Sequence, residues 1–286
     1  MRKVIVMDGK ALAEKHLGEI KAEIAALKAK PTLAIVLVGD DPASLIYVRN
    51  KDRKAKLVGI ATKLYHLPEN TSEKHLLKLV TKLSKSHRIN GVLVQLPLPD
   101  HIDATKVIAA IDPLKDVDGF TPENIGKLAI KKDCLMPCTP LGCIKLLKTV
   151  EPNLAGLKAV VIGRSQIVGR PLAQMLLNED CTVTIAHRKT QDLPELCLTA
   201  DILAVACGCP QMVRGSWLKE GAIVLDIGIS YDKNRKISGD VVFDEALEKA
   251  KAITPVPGGV GPMTIAMLMA NTLKAYKLQH PRKAKI

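Results

Sequence analysis

Aromatic residues are scarce in this chain, which has only 2 Phe, 4 Tyr and 1 Trp among 286 residues. Hydrophobic residues still make up 47%, so Val, Ile, Leu and Ala must fill the core, as is typical of parallel α/β proteins with buried aliphatic strands. The shortage of aromatic side chains also argues against a nucleic-acid-binding protein, because base stacking needs them. No helix-turn-helix, zinc-finger or RNP-like pattern is present either.

Long apolar runs and paired metal ligands are absent as well. No run approaches the ~20 residues of a membrane-spanning helix, and the first apolar stretch, "VIVM", is too short for a signal peptide. We therefore expect no membrane association. The seven cysteines show no paired CxxC spacing with a nearby histidine, so we expect no bound metal. Reduced thiols fit a cytoplasmic protein.

Positive charge is in excess, with 42 Lys and Arg against 29 Asp and Glu and a net charge of +13. A lysine-rich surface that keeps the protein soluble is one explanation. The other is an anionic ligand, rich in phosphates or carboxylates.

Strand-like and helix-like segments alternate along the chain, which predicts an α/β fold. Asp41 and Pro42 are suited to begin a helix within residues 40–59. We predict further helices at 10–30, 71–86, 104–112, 137–150, 243–250 and 263–278, strands at 33–39, 89–99, 200–208 and 221–229, and a loop at 115–128. These elements form two α/β blocks joined near residues 128–140. We place the first domain at 1–136 and 265–286, so that the final helix returns to it, and the second at 137–264.

The segment 157–189 predicts a βαβ unit with a glycine turn, "GRSQIVGRP". Gly163 and Gly169 are present, whereas Ser165 replaces the middle glycine of a dinucleotide fingerprint and the spacing is one residue longer. The turn follows an aliphatic strand and opens a helix, whose N-terminal N–H groups favour a phosphate. An ordinary strand-to-helix turn is the alternative.

The second strand of this unit ends in "TIAHRK" and lacks the acid that would bind the ribose of NAD. Arg188 follows that strand, and Arg164 lies in the preceding turn. Two arginines facing a 2′-phosphate favour NADP over NAD. Exposed surface arginines are the alternative. His187 either orders the loop or contacts the cofactor.

Tyr47 and Lys51 are four residues apart in the helix predicted at 40–59, so they share one helical face. A phenol beside an ammonium group can handle protons, but spacing alone is equally compatible with a surface pair. Gln95 and Asp118 also fall at or after the carboxyl ends of predicted strands, where parallel sheets bind ligands. Their shared placement indicates a site.

Six segments, "PASLIYVRNK", "GVLVQLPLP", "KDVDGF", "PCTPLG", "GRSQIVGRP" and "ITPVPGGVGPMT", occur in this order across nearly the whole chain. Together they resemble the motifs of the bifunctional methylenetetrahydrofolate dehydrogenase/methenyltetrahydrofolate cyclohydrolase family. The resemblance implies two α/β domains flanking a cleft, the second a Rossmann-like NADP-binding domain, usually in a homodimer. It also implies two reactions: NADP⁺ oxidises 5,10-methylenetetrahydrofolate to the methenyl cation, and water converts that cation to 10-formyltetrahydrofolate.

The resemblance implies a role for each candidate catalytic residue. Lys51 is the proton acceptor and later donor in hydrolysis, and partial removal from water beside a developing cation would favour its neutral form. Gln95 holds the Lys51 amine, while Tyr47 orients it and contacts the substrate. Asp118 accepts two N–H bonds from the pterin. We prefer Asp118 over Asp116, which could instead bind nearby backbone or a cation.

The resemblance also implies wider contact sets. The expected substrate contacts are Tyr47, Lys51, Val94, Gln95, Leu96, Asp118, Pro257, Gly258 and Gly259. The expected cofactor contacts are Gly163, Arg164, Ser165, Val168, Gly169, His187, Arg188, Gly208 and Ile229. In "PVPGGVGPMT" the chemistry must come from the backbone, since no side chain there titrates; a plain tight turn is the alternative.

Two positions depart from the usual family pattern: Ser230 stands where asparagine is commoner, and Leu45 where a polar residue is commoner. The net positive charge fits anionic NADP and a polyglutamylated folate. A dehydrogenase-only relative is the nearest alternative, although Tyr47, Lys51 and Gln95 are all present. A basic nucleic-acid-binding protein on the same fold is a further alternative.

Overall fold

Two parallel β-sheets divide the chain into two units. The computed structural model describes residues 4–231 and 237–281. The six-stranded unit contains the residues up to Glu14 and Thr139–Thr264. The three-stranded unit contains Lys15–Cys138 and the residues from Ile265 onward. The predicted two-domain α/β fold with parallel sheets is thereby confirmed.

The elements of the described residues are numbered in chain order. The helices are α1 Gly9–Ala25, α2 Pro42–Val58, α3 Glu73–Lys85, α4 Ala104–Ala109, α5 Pro122–Ala129, α6 Cys138–Val150, α7 Gly169–Asn178, α8 Leu193–Cys197, α9 Phe243–Ala246 and α10 Val260–Gln279, with a 3₁₀ turn at Gly215–Trp217. The strands are β1 Ile5–Val6, β2 Thr32–Val38, β3 Ala61–Leu67, β4 Gly91–Val94, β5 Lys158–Ile162, β6 Thr182–Ala186, β7 Ile202–Val205, β8 Ile223–Asp226, β9 Ser230–Tyr231, β10 Ile237–Ser238 and β11 Ala252–Ile253.

In the three-stranded unit, β2 lies between β3 and β4 and pairs in parallel with both. Residues Leu33–Val38 are all buried, so both faces of β2 are covered. Leu76 and Val80 of α3 pack against this strand. The core is aliphatic, as the composition predicts.

The six-stranded sheet has the order β1-β11-β8-β7-β5-β6, with every neighbouring pair parallel. β5, α7 and β6 form the βαβ unit predicted at 157–189. Its core is again aliphatic and includes Val160, Leu203 and Val224. The parallel order brings the turns after β5, β7 and β8 to one edge of the sheet.

Helix α2 begins and ends as its sequence predicts. The Asp41 carboxylate accepts the N–H of Ser44 at 2.8 Å, and Pro42 occupies the first turn. Gly59, with φ 92°, ends the helix in the left-handed conformation. These signals place Lys51 near the middle of α2.

The final helix returns to the first block, as predicted. The Asn271 side-chain amide donates to the carbonyl oxygens of Val117 at 2.8 Å and Met136 at 2.7 Å. Gln279 donates to the carbonyl of Asn90 at 2.7 Å. Most of α10 is thereby attached to the three-stranded unit.

The prediction of a loop at 115–128 is wrong in its second half, because α5 begins at Pro122. Thr121 caps this helix, Pro122 starts its first turn and Glu123 lies near its positive end. These signals are present in "FTPEN", but a helix this short has little apolar periodicity to show it.

The domain boundary predicted at the N-terminus also differs from the structure. Residues up to Glu14 belong to the six-stranded unit rather than to the first domain. β1 pairs with β11, and the Met7 N–H bonds to the carbonyl of Ile253 at 2.8 Å. A two-residue strand carries no periodicity from which this pairing could be predicted. Within the described residues, no helix is both long and apolar enough to cross a membrane.

Candidate active site

Lys51 and Gln95 meet in the three-stranded unit. The Lys51 Nζ donates a hydrogen bond to Gln95 Oε1 at 3.0 Å. Gln95 directly follows β4, its backbone N–H bonds to the carbonyl of Val36, and it is buried. Lys51 is therefore not part of a solvated surface pair on α2, because its hydrogen-bond partner lies at the buried end of a strand.

The Gln95 amide is fixed in one orientation. Its Nε2 donates to the carbonyl oxygen of Leu96 at 2.5 Å, so Oε1 is the atom that faces Lys51. The hydrogen bond to Gln95 therefore fixes the direction in which Lys51 Nζ points. Val94, which is buried, and Leu96, which is half-buried, flank this position.

Tyr47 is half-buried and lies one helical turn before Lys51 on α2. The spacing of four residues puts both side chains on the same face of the helix, as predicted. Leu45, the first departure from the family pattern, is half-buried, whereas Ile46 is 55% exposed.

Asp118 is half-buried and interacts electrostatically with Lys51. Burial raises the pKa of Asp118 to about 6, the Lys51 charge lowers it, and the Asp116 charge raises it further. The carboxylate is therefore ionised at neutral pH but becomes protonated in mildly acidic solution. Lys51, Gln95 and Asp118 are thus brought together within one unit.

Asp116 is buried and is used by its own loop. Its carboxylate accepts the N–H groups of Gly119 at 3.0 Å and Thr121 at 2.7 Å, and the Asn124 side-chain amide at 3.0 Å. Gly119 has φ 72°, and a Cβ there would lie 2.4 Å from the carbonyl carbon of Met136. Asp116 therefore shapes the turn, which leaves Asp118 as the carboxylate available to a ligand.

Two residues outside the predicted site, Cys138 and Asn271, hold the backbone beside Asp118. Cys138 Sγ donates to the carbonyl of Val117 at 3.2 Å, and Asn271 donates to the same oxygen at 2.8 Å. Burial, and next the Asp118 charge, raise the pKa of the Cys138 thiol, which therefore stays protonated. Asn271 lies 154 positions from Val117 in the chain, so no local pattern could indicate this contact.

The glycine turn of the six-stranded unit is closely packed. A Cβ at Gly163 would lie 2.2 Å from the carbonyl oxygen of Ala206, and one at Gly169 would lie 2.1 Å from that of Gly163. Only glycine fits these two positions. Ser165 Oγ accepts the N–H groups of Val168 and Gly169 at 3.2 and 3.3 Å.

These bonds change the expectation for the first turn of α7. The Arg170 N–H is also taken, by the Ser165 carbonyl at 3.1 Å, and the next residue is a proline. Ser165 thus already accepts the helix N–H groups that were predicted to bind a phosphate. The exposed Arg164 side chain and the Ser165 hydroxyl hydrogen are donors that these bonds do not use.

After β6, Arg188 is exposed and His187 is half-buried. The His187 N–H bonds to Thr190 Oγ1 at 2.9 Å, and its Nδ1 accepts the Lys189 N–H at 3.3 Å. Two roles are predicted for His187. These contacts support the first, the ordering of the loop.

The turns after β7 and β8 present Gly208 and Ile229. Gly208 is exposed with φ 67°, and a Cβ there would meet no atom within 4 Å. Ile229 is 40% exposed. Ser230, the second departure from the family pattern, begins β9 and pairs with Ser238.

The glycine-rich segment at Pro257–Gly259 also belongs to the six-stranded unit. A Cβ at Gly9 would lie 1.8 Å from the carbonyl oxygen of Gly259, and the Lys10 N–H bonds to the carbonyl of Gly258 at 2.9 Å. Gly259 is buried, whereas Pro257 is exposed and Gly258 half-buried. The backbone of this segment therefore packs closely against the start of α1.

All seven cysteines are free thiols, and five of them, including Cys134, Cys138 and Cys143, are buried. In the part of the chain that the structure describes, no group of three or more His, Cys, Asp or Glu side chains could hold a metal ion.

Sequence profiles of a known family match both parts of the chain. The profile described as the tetrahydrofolate dehydrogenase/cyclohydrolase catalytic domain matches residues 7–118, and the NAD(P)-binding domain of the same family matches residues 137–280. The chain belongs to the tetrahydrofolate dehydrogenase/cyclohydrolase family. The predicted resemblance is confirmed.

Relatives in this family resemble the chain over almost its full length. A protein named bifunctional protein FolD from Azorhizobium caulinodans is 56% identical over 281 residues, covering 96% of this chain and 97% of that protein. Bifunctional protein FolD 2 from Ectopseudomonas mendocina is 53% identical over 282 residues, covering 96% and 93%.

Solved structures show the same fold. The bifunctional methylenetetrahydrofolate dehydrogenase/cyclohydrolase FolD from Campylobacter jejuni has a TM-score of 0.94 at 48% identity, covering 96% of this chain and 99% of that one. The Trypanosoma brucei methylenetetrahydrofolate dehydrogenase-cyclohydrolase, solved with NADP cofactor and an inhibitor, has a TM-score of 0.93 at 37% identity, covering 97% and 99%.

The six-stranded unit fits the dinucleotide that its family profile describes. The closely packed Gly163 keeps side chains out of the turn after β5, and the space beside Gly208 is open. Arg164 and Arg188 are exposed cations at the turns after β5 and β6.

We predict that Asp116→Ala lowers the free energy of unfolding by about 2–4 kcal/mol, because it removes a buried acceptor from three donors. Urea unfolding followed by circular dichroism would measure this. The control is Asp100→Ala, at an exposed position, which should change stability by less than about 0.5 kcal/mol. Equal stability of the two variants would contradict the structural role of Asp116.

Proposed function

We propose that this protein oxidises 5,10-methylenetetrahydrofolate to 5,10-methenyltetrahydrofolate with NADP⁺, and hydrolyses that product to 10-formyltetrahydrofolate, as an enzyme of one-carbon metabolism. The observation that carries the proposal is the Lys51–Gln95 hydrogen bond beside Asp118, within the segment that matches the family's catalytic domain. The match to the NAD(P)-binding domain and the relatives named bifunctional support both activities.

Oxidation requires alignment of the substrate rather than a base. Bound NADP⁺ would supply the hydride acceptor, and loss of a hydride from the methylene carbon would give a resonance-stabilised amidinium cation. Because no proton leaves in this step, the residues of the three-stranded unit need only hold the folate in place. Asp118 suits this role, since one carboxylate can accept two N–H groups of the pterin.

Hydrolysis does require proton transfer, and we assign it to Lys51. Water adds to the methenyl carbon to form a tetrahedral adduct. The water gives one proton to the neutral Lys51 amine. The bond from that carbon to N5 then breaks, N5 receives a proton from the Lys51 ammonium, and the hydroxyl proton leaves to solvent. The products are 10-formyltetrahydrofolate and one released proton. A positioned acid–base group of this kind contributes about 10²–10⁴-fold to rate.

Gln95 and Tyr47 prepare Lys51 for this role. Gln95 Oε1 accepts one N–H of Lys51 at 3.0 Å, and its own amide is anchored to the carbonyl of Leu96. The amine is therefore held in one direction instead of sampling its full rotamer range. Tyr47 lies one turn earlier on the same helical face, and we assign it to packing against the substrate.

One assay distinguishes this function from its alternatives. The purified protein receives 5,10-methylenetetrahydrofolate with NADP⁺ or with NAD⁺, and the reduced nicotinamide and the methenyl product are followed together. Reduced NADP with little methenyl accumulation is expected. Accumulating methenyl product would indicate a dehydrogenase-only enzyme. No reduction with either cofactor, together with a gel shift of nucleic acid that folate does not change, would favour the nucleic-acid-binding alternative.

In the same assay, we predict that Lys51→Ala loses hydrolysis by at least about 100-fold but keeps part of its hydride transfer. Methenyl product should therefore accumulate. Lys74→Ala, which removes an exposed lysine from α3, is the matched control and should behave as the unaltered protein. Equal loss of both steps in Lys51→Ala would contradict the role assigned to Lys51.

We also predict that the KM for methylenetetrahydrofolate rises as the pH falls through about 6, the pKa of Asp118. Because that pKa is raised, the carboxylate that accepts the pterin N–H groups is present above about 6 and is lost below it. Dehydrogenase KM values measured from pH 5 to 8 would show the change. In Asp118→Asn the KM should be higher at every pH and should lack this transition; a transition that persists would refute the assignment.

The net charge of +13 supports a polyglutamylated form of the folate. We predict that added salt weakens binding of longer polyglutamates more than binding of the monoglutamate, because salt screens attraction between the chain and the additional carboxylates. Dissociation constants measured between low and high ionic strength would test this. Equal salt dependence for both ligands would remove the link between charge and substrate.

We further propose a cytoplasmic homodimer. Free thiols at all seven cysteines favour a reducing compartment. β6 lies at the edge of the six-stranded sheet, and its Ile185 is 42% exposed, so this edge is available to a second copy. Light scattering would measure the oligomeric state.

A further inference from the structure

Two buried carboxylates lie behind the turns at the carboxyl ends of β7 and β8. Neither belongs to the candidate site residues. Asp226 is the last residue of β8 and is 3% exposed, and Asp240 is 0% exposed. Buried aspartates are uncommon unless their oxygens are well partnered. Their contacts connect β8 to the turn after β7.

Asp226 fixes the backbone on both sides of Asp240. Its oxygens accept the N–H of Asp240 at 2.9 Å and that of Val241 at 3.1 Å. A Cβ at Gly239 would lie 1.9 Å from Asp226 Oδ2. The segment 239–241 therefore fits against Asp226 only with glycine at position 239.

Asp240 in turn fixes the turn after β7. One oxygen, Oδ2, accepts the N–H of Cys207 and that of Gly208, both at 2.9 Å, and also the Cys207 thiol at 3.3 Å. Burial, followed by the Asp240 charge, raises the pKa of Cys207 to about 12, so the thiol stays protonated and continues to donate. A Cβ at Gly228 would lie 2.1 Å from the Asp240 carboxyl carbon.

The other Asp240 oxygen has no partner. Among the described residues, Oδ1 is the buried side-chain N or O atom without a hydrogen bond, an arrangement that costs free energy. Asp240 therefore concentrates three donors on one oxygen and leaves the second unsatisfied.

The turn that Asp240 holds faces open space. Gly208 is exposed, has φ 67°, and a Cβ there would meet nothing within 4 Å. It directly follows the carboxyl end of a parallel strand, where such sheets bind ligands. We propose that Asp240 is a positioning residue, which holds the Cys207–Gly208 turn in the conformation that receives the nicotinamide dinucleotide, while Asp226 holds Asp240. This inference rests on the cofactor role proposed for Gly208.

The test compares cofactor affinity with a reaction that needs no cofactor. NADP⁺ binding is measured by calorimetry without folate, and hydrolysis is measured on supplied methenyltetrahydrofolate. In Asp240→Ala we expect the Kd for NADP⁺ to rise about tenfold or more, because the turn loses its acceptor, with hydrolysis within about twofold of the unaltered protein. Asp240→Asn keeps an acceptor oxygen and should bind within about threefold.

A second pair of variants covers the possibility that Asp240→Ala does not fold. Cys207→Ala removes one of the three donors and should weaken NADP⁺ binding about two- to fourfold, whereas Cys207→Ser retains a donor and should restore binding. The control for general destabilisation is Leu218→Ala, which opens the buried core of the same unit. It should lower stability but leave the Kd unchanged.

The two proposals fail in different ways. Unchanged NADP⁺ affinity in Asp240→Ala, or an equal loss of affinity in Leu218→Ala, would overturn the positioning role alone. If Asp240→Ala does not fold, unchanged affinity in Cys207→Ala would do so. Absence of NADP⁺ binding by the unaltered protein would overturn the proposed function and the positioning role together.

Discussion

Parallel strand pairing is the constraint on which most of the candidate residues depend. In a parallel sheet all carboxyl ends lie at the same edge, so the turns that follow different strands become neighbours. β5 pairs with β6 and β7 in this way, which aligns Ile162 with Ala186 and with Val205. The turns that follow these residues contain the candidate cofactor contacts except Ile229, which follows β8. The same rule places Gln95 directly after β4 in the other unit.

Four aspartates of this chain illustrate how hydrogen-bond partners decide what a carboxylate does. Asp116 and Asp226 each accept backbone N–H groups of a nearby loop and thereby define its shape. Asp118 interacts with Lys51, and burial raises its pKa to about 6, so its charge changes in mildly acidic solution. Asp240 lies between these cases, because it holds a turn that itself faces open space. Residue type alone does not distinguish them.

Close backbone packing explains why glycine occurs at several of these positions. Gly163 and Gly169 contact neighbouring carbonyl groups, and Gly228 and Gly239 contact the two buried carboxylates. Gly208 differs from them, since its surroundings are open. The first four allow the chain to approach itself, whereas Gly208 leaves room for another molecule. This distinction separates glycines required by packing from a glycine beside open space.

The sequence by itself determined the family, the α/β class, the βαβ unit and the capping of α2, because each depends on residues close together in the chain. It also predicted the Lys51 and Gln95 positions, but their hydrogen bond required the pairing of β2 with β4. Only the tertiary structure decided that β1 joins the six-stranded sheet, that Ser165 occupies the first N–H groups of α7, and that Asn271 holds the backbone beside Asp118. These contacts depend on three-dimensional packing. Some join residues that are far apart in the chain. The Ser165 bonds are local, but they depend on how the turn folds back on its own helix. Local periodicity and capping signals cannot show either kind.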